Sequence, residues 1–409
     1  MTSLDELRAV ERADVLKGGQ LAARLVRRRD SVVFAYEEEY ASAGGRPVAT
    51  TLPFSRDAVV THAAGALPPF FSGLLPEGRR LSALRAAVKT SADDEYTLLL
   101  AVGGDPVGDV QIVPHGSEPI DVEPRLTVDE WNQVRFRDLF VASVGDMDAV
   151  DRVAIPGVQD KVSARMINIP VPKQSDRFIL KLDPPEFPHL VANEAFFLEA
   201  ARRSGLETAE AEVVRDCERV DGLLVRRFDR VADASGRAVR LAQEDGCQVL
   251  AHYPADKYRL STEEMVAAMS GICRAQPVAA LTLLKQVAFA YLSCNGDAHA
   301  KNFSIRQLGQ GEWRVTPAYD LPSSYPYGDT TMALTINGRS KEDIGRADFL
   351  ALGAAVGLKP RAVARALDEL CDRVDAWIGG VADLPFDEGR LIKLRRSVEY
   401  RRARLAGPR

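Results

Sequence analysis

The chain has 409 residues, of which 46% are hydrophobic and 27% are charged. These values are typical of a folded globular protein, and a chain of this length is expected to divide into two or three domains. The net charge is −5, from 53 basic and 58 acidic side chains. Tight binding of nucleic acid by the chain alone is therefore not expected, because it usually needs a basic surface.

Cysteine usage and the apolar segments exclude several further classes of protein. The five cysteines are odd in number, far apart and without zinc-site spacing, so neither a disulfide framework nor a zinc centre is predicted. The first residues carry charges where a signal peptide needs an apolar run. The most apolar stretch, 278–294, is interrupted by Lys285 and Gln286 and is too short to span a bilayer. We therefore expect a buried helix there and a cytoplasmic protein.

The first 125 residues are predicted to form a small α/β subdomain. Strands are expected over 31–36, 46–52 and 110–113, and helices over 81–89 and 95–102. A connector rich in proline and acidic residues, 115–124, is a plausible domain boundary.

The remaining residues change from mixed to helical character. Residues 126–260 are predicted to contain strands at 178–182 and 222–229 around a helix at 190–204, with Gly205 as its C-cap. Residues 261–409 begin with a helix start at Ser261 or Thr262 and continue with helical periodicity over 279–294, 345–357, 360–378 and 387–405. A mixed lobe followed by a helical lobe suits a two-lobed phosphotransferase, although fold alone does not establish function.

The most informative segment lies between an apolar helix and a short strand, at residues 291–305. Four polar residues fall within six positions there: Asp297, His299, Lys301 and Asn302. Asp297 and Asn302 stand five positions apart, which is the spacing of the base and the metal-binding asparagine in the protein-kinase loop HRDxxxxN. Asparagine and aspartate oxygens also suit Mg²⁺, which neutralises phosphate charge during phosphoryl transfer.

Asp320 follows Asn302 by 18 residues, at the predicted end of a strand and before a proline-broken loop. A second metal-binding aspartate, like that of the kinase DFG motif, would stand here, although the triplet is Tyr-Asp-Leu. A single aspartate in such a position usually caps a helix or a turn. The combination of Asp297, Asn302 and Asp320 favours a site over three unrelated caps.

Lys181 lies inside the apolar strand 178–182, where an ammonium group is costly unless it is paired or reaches a phosphate. Glu194, in the helix that follows, is a candidate partner, as in the kinase pair of a strand lysine and a helix glutamate. A lysine that reaches solvent from an edge strand is the alternative. The segment 154–161 offers backbone N–H groups to phosphates, but with a single glycine it is better explained as an ordinary turn.

Together, these segments resemble the HipA family of serine/threonine kinases over essentially the whole chain. Motifs similar to those of the family occur in the family's order: Phe71–Gly78, Val102–Gly108, Gly157–Lys161, Ile179–Leu182, Asn193-Glu194, Arg227–Arg230, Gln243–Gln248, Lys257-Tyr258, Asn295–Ser304 and Thr316–Asp320. So many ordered matches are highly specific. The resemblance implies an α+β, protein-kinase-like fold of two lobes, with an N-terminal α/β subdomain (1–125), an N-lobe-like part (126–260) and a mainly helical C-terminal lobe (261–409).

The resemblance also implies a role for each matching residue. Asp297 would be the catalytic base, and Asn302 and Asp320 would bind Mg²⁺. The residues implied to bind or adjoin ATP are Pro156, Gly157, Val158, Gln159, Asp160 and Lys161 of a phosphate loop, Lys181 with Glu194, Arg226, Arg227 and Phe228 of the lobe connector, and His299, Lys301 and Tyr319.

A growth-arresting toxin is the biological role that the resemblance implies. It would transfer the γ-phosphate of ATP to a protein serine or threonine, and in the best-known members the target is an aminoacyl-tRNA synthetase. It would be paired with a HipB-like helix-turn-helix antitoxin, through which it would meet operator DNA. Two departures stand in the loop: Ala154 replaces a serine that family members autophosphorylate, and Pro156 removes one N–H donor.

Two other readings of the sequence remain open. A catalytically weak co-repressor would clamp an antitoxin on DNA, helped by the basic residues Arg390, Lys393, Arg395, Arg396, Arg401, Arg402 and Arg404. Those residues are better explained as the solvated face of a helix. A small-molecule kinase with a related cleft is the other reading, for which the sequence offers no substrate motif.

Overall fold

The computed structural model describes residues 4–63, 65–118, 131, 133–139, 167–173, 176–184, 186–235, 237–341 and 343–407. Residues 4–118 are named the front unit below. The predicted phosphate loop, 156–161, and Ala154 lie outside the described residues. The predicted domain boundaries near 125 and 260 stay predictions.

The front unit contains a five-stranded antiparallel sheet in the order β4-β3-β2-β1-β5. Its elements are β1 (Arg12–Lys17), β2 (Gln20–Arg27), β3 (Val32–Tyr36), α1 (Glu38–Ser42), β4 (Val59–Thr61), α2 (Pro69–Ser72), α3 (Gly78–Val88), α4 (Glu95–Val102) and β5 (Val110–Pro114). Large side chains such as Phe34, Phe71 and Tyr96 fill its core. The predicted helices at 81–89 and 95–102 and strands at 31–36 and 110–113 are present.

The segment 46–52 was wrongly predicted as a strand, since it contains a single bridge between Ala49 and Leu52. The hydroxyl of Tyr36 accepts a hydrogen bond from the Val48 amide at 2.8 Å and donates one to the Leu52 carbonyl. A side chain thus satisfies backbone groups that a neighbouring strand would otherwise bind, so the segment can stay irregular although it is buried.

A second sheet has four antiparallel strands in the order β6-β7-β9-β8. They are β6 (Ile167–Lys173), β7 (Asp176–Leu182), β8 (Ala211–Arg215) and β9 (Asp221–Arg226), and helix α5 (Leu190–Arg203) packs against them. Helix α5 begins where Asp183 accepts hydrogen bonds from the amides of His189 and Val191, at 2.8 and 2.7 Å. It ends at Gly205, whose φ of +83° suits a glycine. Strand β9 ends three residues before the predicted end at 229.

The rest of the chain is mainly helical. Its strands are β10 (Arg230–Ala232), β11 (Ala238–Arg240), β12 (Gln243–Asp245), β13 (Ser304–Gln307) and β14 (Trp313–Val315), and its helices are α6 (Gly246–Val249), α7 (Thr262–Ile272), α8 (Gln276–Leu292), α9 (Arg346–Ala355), α10 (Pro360–Arg373) and α11 (Glu388–Leu405). Strands β12, β13 and β14 form a three-stranded sheet in that order.

Two local predictions about the helical part are confirmed. Ser261 is the N-cap of α7, and a reciprocal capping box joins its side chain and amide to Glu264 at 3.2 and 3.0 Å. Helix α8 is the buried helix predicted from the apolar stretch, with Leu283, Phe289 and Tyr291 in the core. Within the described ranges, no helix is long and apolar enough to cross a membrane.

The basic residues of helix α11 do not all lie on a solvated face. Arg401 has no exposed surface. Its guanidinium donates hydrogen bonds to the carbonyls of Tyr291 and Thr330, at 2.8 and 2.6 Å, and lies over the Tyr291 ring. Arg401 therefore joins the end of α8 to the segment that follows Asp320, which an interaction with solvent or DNA phosphates would not require.

Candidate active site

The loop between α8 and β13 carries the predicted catalytic residues. It turns at Cys294, which has a φ of +56°, and continues through Gly296 to Asn302. A Cβ atom on Gly296 would lie 2.6 Å from the Asp329 carboxylate and 2.7 Å from the Thr331 carbonyl, so only glycine fits there without a shift of the neighbouring chain. The close approach of residues 329–331 to Gly296 fixes the path of the loop.

Asp297 is held by hydrogen bonds at both its backbone and its carboxylate. Its amide donates to Asn295 Oδ1 at 3.0 Å, and its Oδ1 accepts from the Tyr258 hydroxyl at 2.8 Å. The side-chain amide of Asn295 also donates to the Asp320 carbonyl at 3.4 Å. Asn295 therefore connects the loop of Asp297 to the backbone of Asp320.

Asp320 contacts two other predicted site residues. Its Oδ1 lies 3.1 Å from Lys181 Nζ, and its Oδ2 accepts a hydrogen bond from Asn302 Nδ2 at 2.5 Å. Asp320 has a φ of +56°, in the left-handed region that aspartate adopts more readily than most residues. The prediction that a strand ends at Asp320 is wrong. Strand β14 ends at Val315, and the residues from there to Asp320 form an irregular segment.

Lys181 lies on β7, a central strand between β6 and β9, and its side chain is only 10% exposed. Its ammonium group lies 2.6 Å from Glu194 Oε1 on helix α5. Burial disfavours the charged lysine, but Asp320 and Glu194 outweigh this effect and raise the pKa of Lys181 above its usual value. The alternative of an edge-strand lysine that reaches solvent is therefore excluded.

A pocket opens beside this cluster, between the second sheet, the helical part and the front unit. The predicted residues that line it are Lys181, Glu194, Arg226, Arg227, Phe228, Lys301, Tyr319 and Asp320. Apolar side chains such as Ile179, Leu198 and Val225 line it as well. The rings of Phe228 and Tyr319 lie 5.5 Å apart, and the Tyr319 hydroxyl donates to the Lys301 carbonyl at 2.7 Å. An apolar and aromatic wall beside a charged cluster suits a base and its phosphates.

Arg227 and Lys301 line the pocket, but residues outside the predicted site hold their charged groups. The Arg227 guanidinium binds Asp229 at 2.8 Å and Asp105 of the front unit at 3.0 Å. The Lys301 ammonium lies 2.9 Å from Glu77 and donates to the Gly73 carbonyl at 3.1 Å. Both of these cationic groups are thus paired with carboxylates, and Glu194 and Asp320 hold Lys181 in the same way.

His299 was predicted to lie next to the nucleotide. In the structure it has no exposed surface and is not among the residues that line the pocket. Its ring packs edge-on against Tyr258, with centroids 5.1 Å apart. Both ring nitrogens lack a hydrogen-bond partner among the described residues. Burial, together with the nearby charge of Lys257, lowers the pKa of His299 well below its usual value. The imidazole is therefore neutral and packs against Tyr258 inside the protein.

Asn302 and Asp320 fit the requirements of a Mg²⁺ site. Asp320 faces the pocket with its carboxylate, and Asn302 contacts it through Nδ2. Asn302 Oδ1 accepts a hydrogen bond from the His299 amide at 3.2 Å, and because an amide oxygen has two lone pairs, one remains for a metal. No cluster of three or more His, Cys, Asp or Glu side chains suited to a metal occurs in the described part of the chain. A site with two protein ligands agrees with Mg²⁺, which commonly takes its remaining ligands from phosphates and water.

Sequence reasoning missed two residues that contact this site. Tyr258 binds the carboxylate of Asp297, and Glu77 binds the ammonium of Lys301. Both lie in segments that match family motifs, Lys257-Tyr258 and Phe71–Gly78, but a motif match does not say what a side chain touches.

The chain matches two models of one protein family. Residues 13–113 match the model of the HipA N-terminal domain, and residues 153–378 match that of the HipA-like C-terminal domain. The chain belongs to the HipA family. It is 31% identical to a protein of Sinorhizobium fredii that is named a candidate kinase, Y4mE, over 81% of this chain and 84% of that protein.

Two further matches come from Shewanella oneidensis. The chain is 26% identical to the serine/threonine-protein kinase toxin HipA of that organism, over 75% of this chain and 73% of the toxin. It also resembles a solved complex of HipA with HipB and operator DNA from the same species, with a TM-score of 0.76, 21% identity and coverage of 96% and 97% of the two chains. The predicted two-lobed α+β fold of the HipA family is thereby confirmed.

Proposed function

We propose that this chain is an ATP-dependent protein kinase that phosphorylates serine or threonine and acts as the toxin of a toxin–antitoxin pair. One observation carries the proposal: Lys181, Asn302 and Asp320, which are far apart in sequence, are joined by contacts of 2.5 to 3.1 Å at the edge of a pocket. Asn295 links the same group to Asp297. A protein that served purely as a scaffold would have no need of these four polar groups together.

Each residue then has a separate task. Asp297 accepts the proton of the substrate hydroxyl as its oxygen bonds to the γ-phosphorus of ATP, while the bond from that phosphorus to the bridging oxygen breaks and ADP leaves. Lys181 binds phosphate oxygens and is oriented by Glu194, at 2.6 Å. Phe228 and Tyr319 provide the apolar wall for the adenine base. Asn302 and Asp320 would hold Mg²⁺, which would neutralise charge on the phosphates.

The substrate and the partner are proposed from the family. The relative from Shewanella is named a serine/threonine-protein kinase toxin, and the solved complex contains HipA, HipB and operator DNA. We therefore propose a HipB-like antitoxin as the partner, with operator DNA bound mainly through it. An aminoacyl-tRNA synthetase or another translation factor is the proposed substrate class, and its phosphorylation would arrest growth.

Replacement of the catalytic base tests the proposal. The purified chain, incubated with radiolabelled ATP, Mg²⁺ and a cell extract, should label one or a few proteins on serine or threonine. Asp297→Asn removes the proton acceptor but keeps the side-chain shape, so labelling should fall by about 10² to 10⁴-fold. Expression of this variant should also permit growth.

The matched control is Asp372→Asn, which changes an exposed aspartate of helix α10 in the same way. Its labelling and growth arrest should equal those of the original chain. Growth arrest that persists in Asp297→Asn would contradict the proposal and favour a protein that acts by binding alone. Transfer to small molecules without protein labelling would contradict it as well.

A further inference from the structure

Glu77 of the front unit reaches the segments that carry the proposed catalytic groups. It stands at the start of helix α3, and its side chain is 8% exposed. Its Oε2 lies 2.5 Å from Lys257 Nζ, and its Oε1 lies 2.9 Å from Lys301 Nζ. One carboxylate of the front unit thus binds two lysines that belong to two different segments of the rest of the chain.

Each of these lysines is the immediate neighbour of a residue that contacts the proposed site. Lys257 precedes Tyr258, whose hydroxyl binds Asp297 at 2.8 Å. Lys301 precedes Asn302, which binds Asp320 at 2.5 Å. The two lysine segments also meet directly, since the Ala300 amide donates to the Lys257 carbonyl at 3.3 Å.

The surroundings make this arrangement rigid. The Lys301 ammonium is held by the Gly73 carbonyl at 3.1 Å and by Asp245 at 3.7 Å, besides Glu77. Two carboxylates and two ammonium groups balance in charge, and all four side chains are buried. Removal of one partner from such a cluster leaves an uncompensated buried charge, which the chain can relieve only by moving a segment.

We infer that Glu77 is a positioning residue of this kinase: it holds the Tyr258 and Asn302 segments, and through them the positions of Asp297 and Asp320. The front unit is then a working part of the catalytic centre and not an appended domain. The inference rests on the proposed kinase function.

Kinetics of Glu77→Gln test the inference. This variant keeps the size of the side chain but removes the charge that holds both lysines. A shift of about 1 Å in a catalytic group lowers rates by about 100-fold, so kcat should fall by about 10- to 100-fold. The KM for ATP should change less than kcat, because Glu77 does not bind Lys181 and Lys301 is the one pocket-lining residue that it holds among those described.

The matched control is Thr50→Val, at the same interface between the front unit and the rest of the chain. Thr50 Oγ1 donates to Glu244 at 2.6 Å, and the Glu244 carboxylate is hydrogen-bonded, among the described residues, to the amide and hydroxyl of Thr50 and not to the loop of Asp297. This variant should keep the kcat of the original chain. If Glu77→Gln is recovered unfolded, Glu77→Asp replaces it, because its charge is kept but its shorter side chain cannot reach both lysines.

Hydrogen–deuterium exchange tests the positioning role of Glu77 without a measurement of activity. Amides of residues 297–303 should exchange at least about tenfold faster in Glu77→Gln than in Thr50→Val, because loss of a local constraint permits local opening. If the original chain has no more activity than Asp297→Asn, the proposed function fails, and exchange alone then decides the role of Glu77.

Two results would overturn the inference. One is an active original chain whose Glu77→Gln variant keeps full kcat per folded molecule. The other is equal exchange of residues 297–303 in Glu77→Gln and Thr50→Val. Either result would reduce Glu77 to an ordinary interface contact.

Discussion

Two buried ionic clusters adjoin the loop that carries Asn302. The pocket cluster contains Lys181, Glu194 and Asp320, and the interface cluster contains Glu77, Lys257, Lys301 and Asp245. Both combine lysines with carboxylates at distances down to 2.5 or 2.6 Å. They differ in access, because all three residues of the pocket cluster line the pocket, whereas in the interface cluster Lys301 and Asp245 line it but Glu77 and Lys257 do not.

The difference shows what each cluster can do. A cation that faces a pocket can exchange a carboxylate partner for a phosphate, so the pocket cluster can bind a ligand. The ion pair of Glu77 and Lys257 lies away from the pocket, so it cannot exchange partners without separation of the front unit from the rest of the chain. The same residue types thus serve binding in one place and positioning in the other, and the following substitutions test this division.

The largest expected effect is that of Lys181→Met in the pocket cluster. The variant removes the charge that binds phosphate and leaves Glu194 and Asp320 as adjacent buried carboxylates. Loss of one such stabilising contact typically lowers kcat/KM by about 10² to 10³-fold, which corresponds to about 3 to 4 kcal/mol. Steady-state labelling assays at several ATP concentrations measure it. Retention of kcat/KM within threefold would remove Lys181 from the phosphate site.

The second effect concerns stability and belongs to the interface cluster. Burial opposes ionisation of Glu77, but Lys301 and Lys257 outweigh it and lower its pKa from an ordinary 4.5 to about 2. A carboxylate whose pKa is lowered on folding stabilises the protein above pH 4.5 and loses this contribution as the pH falls towards 2. At pH 7 the contribution corresponds to about 3 kcal/mol.

Denaturant unfolding of Glu77→Gln and of the original chain, compared at several pH values, measures this contribution to the free energy of unfolding. The free energy of unfolding should be lower in the variant by about 3 kcal/mol at pH 7. The difference should shrink between pH 4.5 and pH 2, because glutamine does not titrate and the original carboxylate becomes protonated. A difference that is constant over this range would show that the lysines do not stabilise the ionised form.

The sequence could predict the pocket cluster because its signals are local. The spacing of Asp297 and Asn302 follows that of a known catalytic loop, and a lysine in an apolar strand requires a partner. The partners of the interface cluster carry no such signal. Lys257 and Glu77 are 180 positions apart, and either would pass for an exposed charge when read alone.

Elements were predicted best where capping and periodicity act within one segment, as at Ser261 and Gly205. Predictions failed where tertiary contacts replace local pairing. The Tyr36 hydroxyl satisfies the backbone of 46–52, and Arg401 is buried under the segment after Asp320 despite a basic helix pattern. In each case a single distant side chain decides the outcome, and no periodic pattern records it.

The smallest effect is expected for a substitution of Tyr258. This residue follows Lys257 of the interface cluster, and its hydroxyl donates to Asp297 at 2.8 Å. Tyr258→Phe removes one hydroxyl and keeps the ring that packs against His299 at 5.1 Å. Loss of one hydrogen bond to a charged group is worth about 1.5 to 3 kcal/mol, and part of that loss is recovered when water replaces the hydroxyl. We therefore expect kcat to fall by about tenfold, with the KM for ATP and the melting temperature nearly unchanged.

A matched control for this variant is Tyr253→Phe, which removes a hydroxyl bonded to the Leu67 carbonyl at 3.1 Å, away from Asp297. Its kcat should equal that of the original chain. If Tyr258→Phe also kept full kcat, the hydrogen bond to Asp297 would have no part in orienting the base. The interface cluster would then act on the site through Lys301 and Asn302 alone, and Lys257 would matter for stability but not for rate.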